Sequence, residues 1–298
     1  MSQLVFDRHL LRDRRRRAAR LGPATFLIDR VAEDLVERLS VVLRRFDLAL
    51  DVGSPTDALA RALARHAAVG SVITADAVAD DLRSRPGLRV AADQEALPFR
   101  DASLDLVVSA LALQFVNDLP GTLVQIRRAL KADGLFLAAL IGGDSLTELR
   151  QAFAAAEAET EGGVSPRVAP FADVRNLGAL LQRAGLALPV ADVDRIVVRY
   201  ASPFGLMEDL RRMGAANPMI ERARRPLRRA TLRRMAEIYA ERFADPDGRV
   251  RATFEIVWLS GWAPHESQQK PLRPGAATHR LADALGTLEI PAGEKAER

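Results

Sequence analysis

The chain contains no cysteine, which excludes disulfides and thiolate metal ligands. Its four histidines, His9, His66, His265 and His279, are too few and too scattered for a histidine-rich metal centre. With two tyrosines and two tryptophans, there is little from which to build the stacking platforms of an RNA-binding surface. Lysine is nearly missing as well: of 43 basic residues only Lys131, Lys270 and Lys295 are lysine, and the other forty are arginine. No apolar run is long enough to span a bilayer, and the first twenty residues lack the apolar core of a secretory signal. Asp7 and Asp13 among the early arginines, together with scarce serine, speak against a transit peptide. These absences predict a soluble, cytoplasmic protein.

What is present suffices for a large core. At 298 residues, 48% hydrophobic and 28% charged, the chain matches a globular α/β domain with an elaboration, and disorder throughout is excluded. The arginines concentrate in two places. Arg8, Arg12, Arg14, Arg15, Arg16, Arg17 and Arg20 alternate with Leu10, Leu11, Ala18 and Ala19, as an amphipathic helix would. Residues 211–234 hold nine arginines against one acid, Glu221. Guanidinium forks suit carboxylates and phosphates, so an acidic protein, an anionic membrane surface or a nucleic acid are physically possible partners. The bland alternative for both clusters is a solvated helix face.

The stretch that organises the rest is residues 48–57, Leu-Ala-Leu-Asp-Val-Gly-Ser-Pro-Thr-Asp, followed by a helix-period segment to His66. An apolar run that ends on an acid and a glycine reads as a first strand and a tight loop in a nucleotide-type βα unit. Asp51 is placed to orient the loop, Gly53 lets the backbone turn sharply, and Ser54 continues the turn. Pro55 stands where a second glycine of a dinucleotide fingerprint would be. A second strand, residues 71–75, ends at Asp76, placed 23 residues after Gly53 to accept hydrogen bonds from ribose hydroxyls. A third, residues 88–92, ends at Asp93 and Gln94, side chains suited to an exocyclic amine. Residues 104–109 form a continuous apolar run ending at Ser109, as a strand covered on both faces should. A helix with Pro120 in its first turn follows, then a stop at residues 131–134 and a fifth strand over 135–141. Five such alternations predict a parallel, doubly wound sheet.

Ahead of it, Leu27, Val31, Leu35, Leu39 and Val42 mark a helical stripe within residues 27–46. Beyond it come helical patterns over 144–161 and 173–184, a strand-like run at 196–200, an arginine-rich helical stretch at 203–243 and a last β-rich run at 252–259. The expected organisation is an N-terminal helical segment over 1–46, a core over 47–200, a helical lid over 201–247, a final strand and tail over 248–286, and a disordered end over 287–298. Met207, Met213, Met219 and Met235 in the lid read as packing between helices. His265, Glu266 and Gln268, in a proline-bounded segment, read as a buried hydrogen-bonded loop or as catalytic side chains near the sheet's end.

The succession Asp51-Val52-Gly53, Asp76, residues 93–99, residues 103–109 and residues 130–134 resembles the class I S-adenosylmethionine-dependent methyltransferases. Phe6-Asp7-Arg8 with its arginine run, and residues 261–271, resemble the methyltransferase-like assembly factors of respiratory complex I, with the malonyl-carrier-protein methyltransferases of biotin synthesis as neighbours. The resemblance covers about residues 5–286. It implies a seven-stranded, mostly parallel methyltransferase sheet with an N-terminal helical segment and a helical insertion before the last strand. It also implies S-adenosylmethionine as cofactor, with Asp51, Gly53 and Ser54 in the first loop, Asp76 as the ribose acid, Asp93 and Gln94 beside the adenine, and Ser109 near the methionine portion. The chain departs from the pattern at Pro55 and Asp57, where relatives carry further glycines.

The functions implied are methyl transfer, or assembly of complex I through a protein client, a role the family associates with hydroxylation of a client arginine. A non-catalytic scaffold and a carboxyl methyltransferase acting on an acyl-carrier substrate are the alternatives. The expected partner is a protein, possible contact with an anionic membrane is peripheral, and nucleic acid rests on charge alone.

Overall fold

β1 (Phe46–Val52), β2 (Val69–Asp76), β3 (Leu88–Ala91) and β4 (Leu104–Ala110) are the short apolar runs that carry Asp51, Asp76, Asp93 and Ser109 at or just beyond their ends, and they pair in parallel. The computed structural model describes residues 4–78, 82–83, 85, 87–269, 283 and 285–288. With β5 (Leu130–Ile141), β6 (Ala187–Tyr200) and β7 (Val250–Trp262) these strands make one seven-stranded sheet in the order β3-β2-β1-β4-β5-β7-β6. β7 runs antiparallel to both β5 and β6, and the other pairs are parallel.

Helices cover both faces, which is why the central strands carry unbroken apolar runs. α2 (Phe26–Ser40), α3 (Ala58–Ala64), α5 (Thr147–Thr160) and α8 (Arg229–Phe243) pack on one side around Val31, Leu35, Leu39, Leu106, Ala152, Ile238 and Tyr239. α4 (Leu119–Ala129) and α6 (Val174–Arg183) pack on the other around Leu50, Val107, Leu123, Ile126, Phe136, Leu177 and Leu181. Asp118 caps α4 by accepting from the Gly121 N–H at 2.8 Å, with Pro120 in the first turn.

The strand order reverses between β1 and β4, and open parallel sheets bind ligands beyond their strand ends at such a switch point. Two segments roof that point. One is α1 (Arg8–Leu21), capped by Asp7, whose side chain accepts from the Leu10 N–H at 3.0 Å. The other is the insertion between β6 and β7, made of α7 (Pro203–Arg212), a loop and α8. They are joined by a β-bridge between Phe6 and Met219 and by the Asp7 N–H to the Pro218 carbonyl at 2.8 Å.

Several boundaries shift. The stripe predicted through Phe46 ends at Ser40, and Phe46 opens β1. The stop expected at residues 131–134 is already strand: β5 begins at Leu130, paired to Leu104, and accommodates Asp133 at φ 63° beside a register shift. β6 starts at Ala187 rather than Ile196, and the arginine-rich stretch is two helices and a loop. Met235 is fully buried in the core, as its packing role requires.

His265 to Arg298 separate from Met1–Pro264 as a second unit. Within it His265 Nδ1 lies 2.7 Å from Ser267 Oγ in an exposed turn, so the buried loop expected there is not formed. Residues 270–282 and the tail from 289 lie outside the described residues, so the disordered end expected over 287–298 meets them only at 287 and 288.

Candidate functional site

β1 delivers its acid to the interior. Asp51 is fully buried; one carboxylate oxygen accepts the Ser54 hydroxyl, and the other, Oδ2, has no partner. Ser54 Oγ in turn accepts the Ala110 N–H at 3.1 Å, which ties the first loop to the end of β4. Burial pushes the Asp51 carboxyl up to about 6, against the opposing pull of the Ser54 hydrogen bond.

Gly53 turns the chain at φ 71°, a conformation natural to glycine. A Cβ there would lie 2.3 Å from Gln94 Nε2, so the amide of Gln94 sits directly over the glycine. Gln94 Oε1 accepts from Arg8 Nη2. Ser109 is fully buried and donates to the Val52 carbonyl at 2.8 Å; it braces β1 against β4 and does not line the open space.

That space is a cavity of about 310 Å³, at the lower end of the roughly 300–1,000 Å³ of small-molecule sites. Its floor is Gly53, Pro55, Thr56 and Asp57 from the first loop, with Gln94 beside them. Leu111, Phe115 and Val116 form an apolar wall, and Met213, Gly214 and Ala215 of the insertion close another side. The departures from the family loop therefore line the cavity without filling it. Asp57 is paired with Arg61 at 3.1 Å.

The lid expected over 201–247 supplies only part of the roof, and α1 supplies the part that the sequence does not announce. Arg8, Leu11 and Arg15 of α1 line the same cavity, as does Arg85. Arg15 Nη2 lies 2.6 Å from Asp76 Oδ2, Arg85 Nη2 lies 3.5 Å from the same oxygen, and Asp76 is fully buried. Asp93 is paired with Arg8 at 2.8 Å and Arg12 at 2.6 Å, and Glu95 with Arg8 at 2.8 Å. The predicted site residues thus divide: Gly53 and Gln94 line the cavity, Asp51, Ser54 and Ser109 lie behind the first loop, and Asp76 and Asp93 are outside the lining, paired with arginines of which Arg8, Arg15 and Arg85 line it. The signal that could have found the roof is the spacing of Arg8, Arg12 and Arg15, which puts them on one helix face; the near-continuous run at 12–17 hides it. Among the described residues, no group of three His, Asp or Glu side chains is placed to hold a metal ion.

Known proteins agree with this architecture. A methyltransferase-domain family matches residues 50–138. The arginine-hydroxylase NDUFAF5, mitochondrial, of Homo sapiens is 40% identical over 98% of this chain and 87% of its own length. The malonyl-[acyl-carrier protein] O-methyltransferase of Gallionella capsiferriformans is 33% identical over 89% of this chain and 93% of its own. Among solved structures, the YcgJ protein of Bacillus subtilis superposes with a TM-score of 0.53 at 14% identity, covering 78% of this chain and 99% of its own, a likeness of fold alone. The chain belongs to the arginine-hydroxylase NDUFAF5 family, and its fold is that of the class I methyltransferases.

Proposed function

We propose that the chain binds S-adenosylmethionine in the cavity beneath α1 and serves as an assembly factor of respiratory complex I, acting on an arginine of a protein client. The observation that carries this reading is a ligand-sized cavity at the switch point of the sheet, in a chain related to the arginine hydroxylases along nearly its whole length.

The residues present fit such a cofactor. Gly53, having no side chain, lets the Gln94 amide close over its backbone, and both residues line the cavity. Leu111 and Phe115 offer an apolar surface to a base. Asp51 keeps an unpartnered buried oxygen behind the loop, and Asp76 and Asp93 are the carboxylates for the ribose and base edges. For methyl transfer, a bound sulfonium donor would supply the reactivity itself, so the protein's work would be alignment in a dry cleft with no dedicated nucleophile. The place of action in this reading is the cytoplasmic compartment, with the exposed arginines of residues 224–229 meeting the client or an anionic membrane surface. No helix among the described residues is long and apolar enough to cross a membrane, and the NDUFAF5 relatives carry "mitochondrial" in their names.

Deleting the gene and analysing membranes by native electrophoresis and peptide mass spectrometry tests the proposal. The expected result is loss of assembled complex I, together with loss of a mass increment on one client arginine. An oxygen's mass identifies hydroxylation and a methylene's mass methylation. Intact complex I with unchanged arginines overturns the reading. A missing methyl ester on an acyl-carrier substrate would favour the alternative that the malonyl-carrier relatives support.

A further inference from the structure

Arg8, Arg12 and Arg15 leave one face of α1 and run along the ends of β2 and β3. Arg15 engages Asp76 with both arms of its fork, Nη2 to Oδ2 at 2.6 Å and Nη1 to Oδ1 at 3.2 Å. The Val78 N–H donates to Oδ1 at 2.8 Å, and Arg85 Nη2 reaches Oδ2 at 3.5 Å. These four contacts take up the acceptor positions of a fully buried carboxylate. A ribose hydroxyl that donates to Asp76 asks for the same lone pairs.

How α1 is held says which group must yield. Its ends are pinned by directed contacts: the Asn117 carboxamide oxygen accepts the Val5 and Phe6 N–H groups at 2.9 and 2.8 Å, Phe6 packs edge-on to Phe115, and Arg212 Nε donates to the Gly22 carbonyl at 2.7 Å. Between those pins, Ala18 is the helix's buried residue, Arg14 Nη1 donates to the Ala216 and Asn217 carbonyls, and Arg8, Arg12 and Arg15 are held by ion pairs. An arginine side chain can swing away from its carboxylate while the helix stays in place.

We propose that Arg15 is a built-in competitor at the nucleoside subsite: a donor nucleoside engages Asp76 only as Arg15 lets go, so this arginine sets the affinity of the cavity for its cofactor. The proposal rests on the reading that the donor binds beneath α1. Arg15 is then a gate on binding, with no part in chemistry, and the arginine row is a self-inhibitory contact built into the fold.

The test is calorimetric titration of S-adenosylhomocysteine into the full chain and into Arg15→Gln, Arg15→Lys and, as a control on the exposed side of α1, Arg17→Gln. Removing a competitor raises apparent affinity by the reciprocal of the released fraction, so Arg15→Gln is expected to bind about tenfold tighter than the parent. Arg15→Lys, which keeps the charge and loses the fork, falls between them, and Arg17→Gln matches the parent. A residue whose role is merely to support the fold would give the opposite sign. If the parent binds and both Arg15 variants, folded by circular dichroism, bind equally or more weakly, the competition is overturned and donor binding stands. If neither parent nor variants bind, the donor reading itself falls and the proposal with it.

Discussion

Residues 8–20, with seven arginines, and residues 211–234, with nine, are both arginine-rich with a single acid each, and parts of the two meet very different surroundings. The side chains of Arg8 and Arg15 are only 13% and 12% exposed, each against a carboxylate at a strand end. Those of Arg228 and Arg233 are 69% and 84% exposed, and exposed Arg224, Arg225 and Arg229 meet no acid among the described residues. The difference does not lie in the helices' own charge. It lies in what the fold sets opposite them: α1 crosses the end of the sheet where the strands terminate in Asp76 and Asp93, whereas the loop ahead of α8 faces outward. A charge run is therefore a solvated face only when no acid-ended strand lies beneath it, and for α1 the bland reading fails.

The largest test of that contrast is Asp76→Ala. Removing the carboxylate leaves Arg15 and Arg85 buried without this partner, a loss expected to cost about 3–5 kcal/mol in urea unfolding. Arg224→Ala and Arg225→Ala should stay within about 0.5 kcal/mol. A loss below about 1 kcal/mol for Asp76→Ala would put the inward row on a par with the outward one.

Next comes Asp51→Asn, in the same inward region. The Asp51 carboxyl is raised from 3.8 to about 6, so ionising it opposes folding. The penalty is absent where the carboxyl is protonated in both states, grows as pH climbs from the unfolded value through about 6, and is constant above. The substituted amide would keep an acceptor for the Ser54 hydroxyl without the charge. The variant should therefore be more stable than the parent by about 3 kcal/mol at alkaline pH, with the gap closing in acid. A gain independent of pH would mean that the charge is not its source.

The smallest effect on stability belongs to the outward segment. Reversing Arg224, Arg225 and Arg229 to glutamate should change unfolding by less than about 1 kcal/mol while weakening capture of the proposed client in a low-salt pull-down. Undiminished capture would make this segment solvated surface and nothing more.

Much of the fold was legible because apolar runs that end on Asp51, Asp76 and Asp93 carry both the strand and the polarity of its end. Pro120 and Gly53 likewise announce a helix start and a tight turn through constraints that act within a few residues. The closure of the site was not legible, since nothing local pairs Arg15 with Asp76 across 61 residues of chain. The resemblance puts Ser109 near the methionine portion of the cofactor, yet the same apolar run that marks β4 also hides its hydroxyl against the Val52 carbonyl. The start of β5 was misread for a related reason: Asp133 and Gly134 look like a helix stop, and only the pairing of Leu104 with Leu130 shows that the strand has already begun.

The most direct measurement is a crystal structure of the full chain grown with saturating S-adenosylhomocysteine. The account predicts the nucleoside between Gly53 and Phe115, its ribose hydroxyls on Asp76 and the Arg15 fork withdrawn. A ligand bound elsewhere, or none bound, with Arg15 still clasping Asp76, would contradict it.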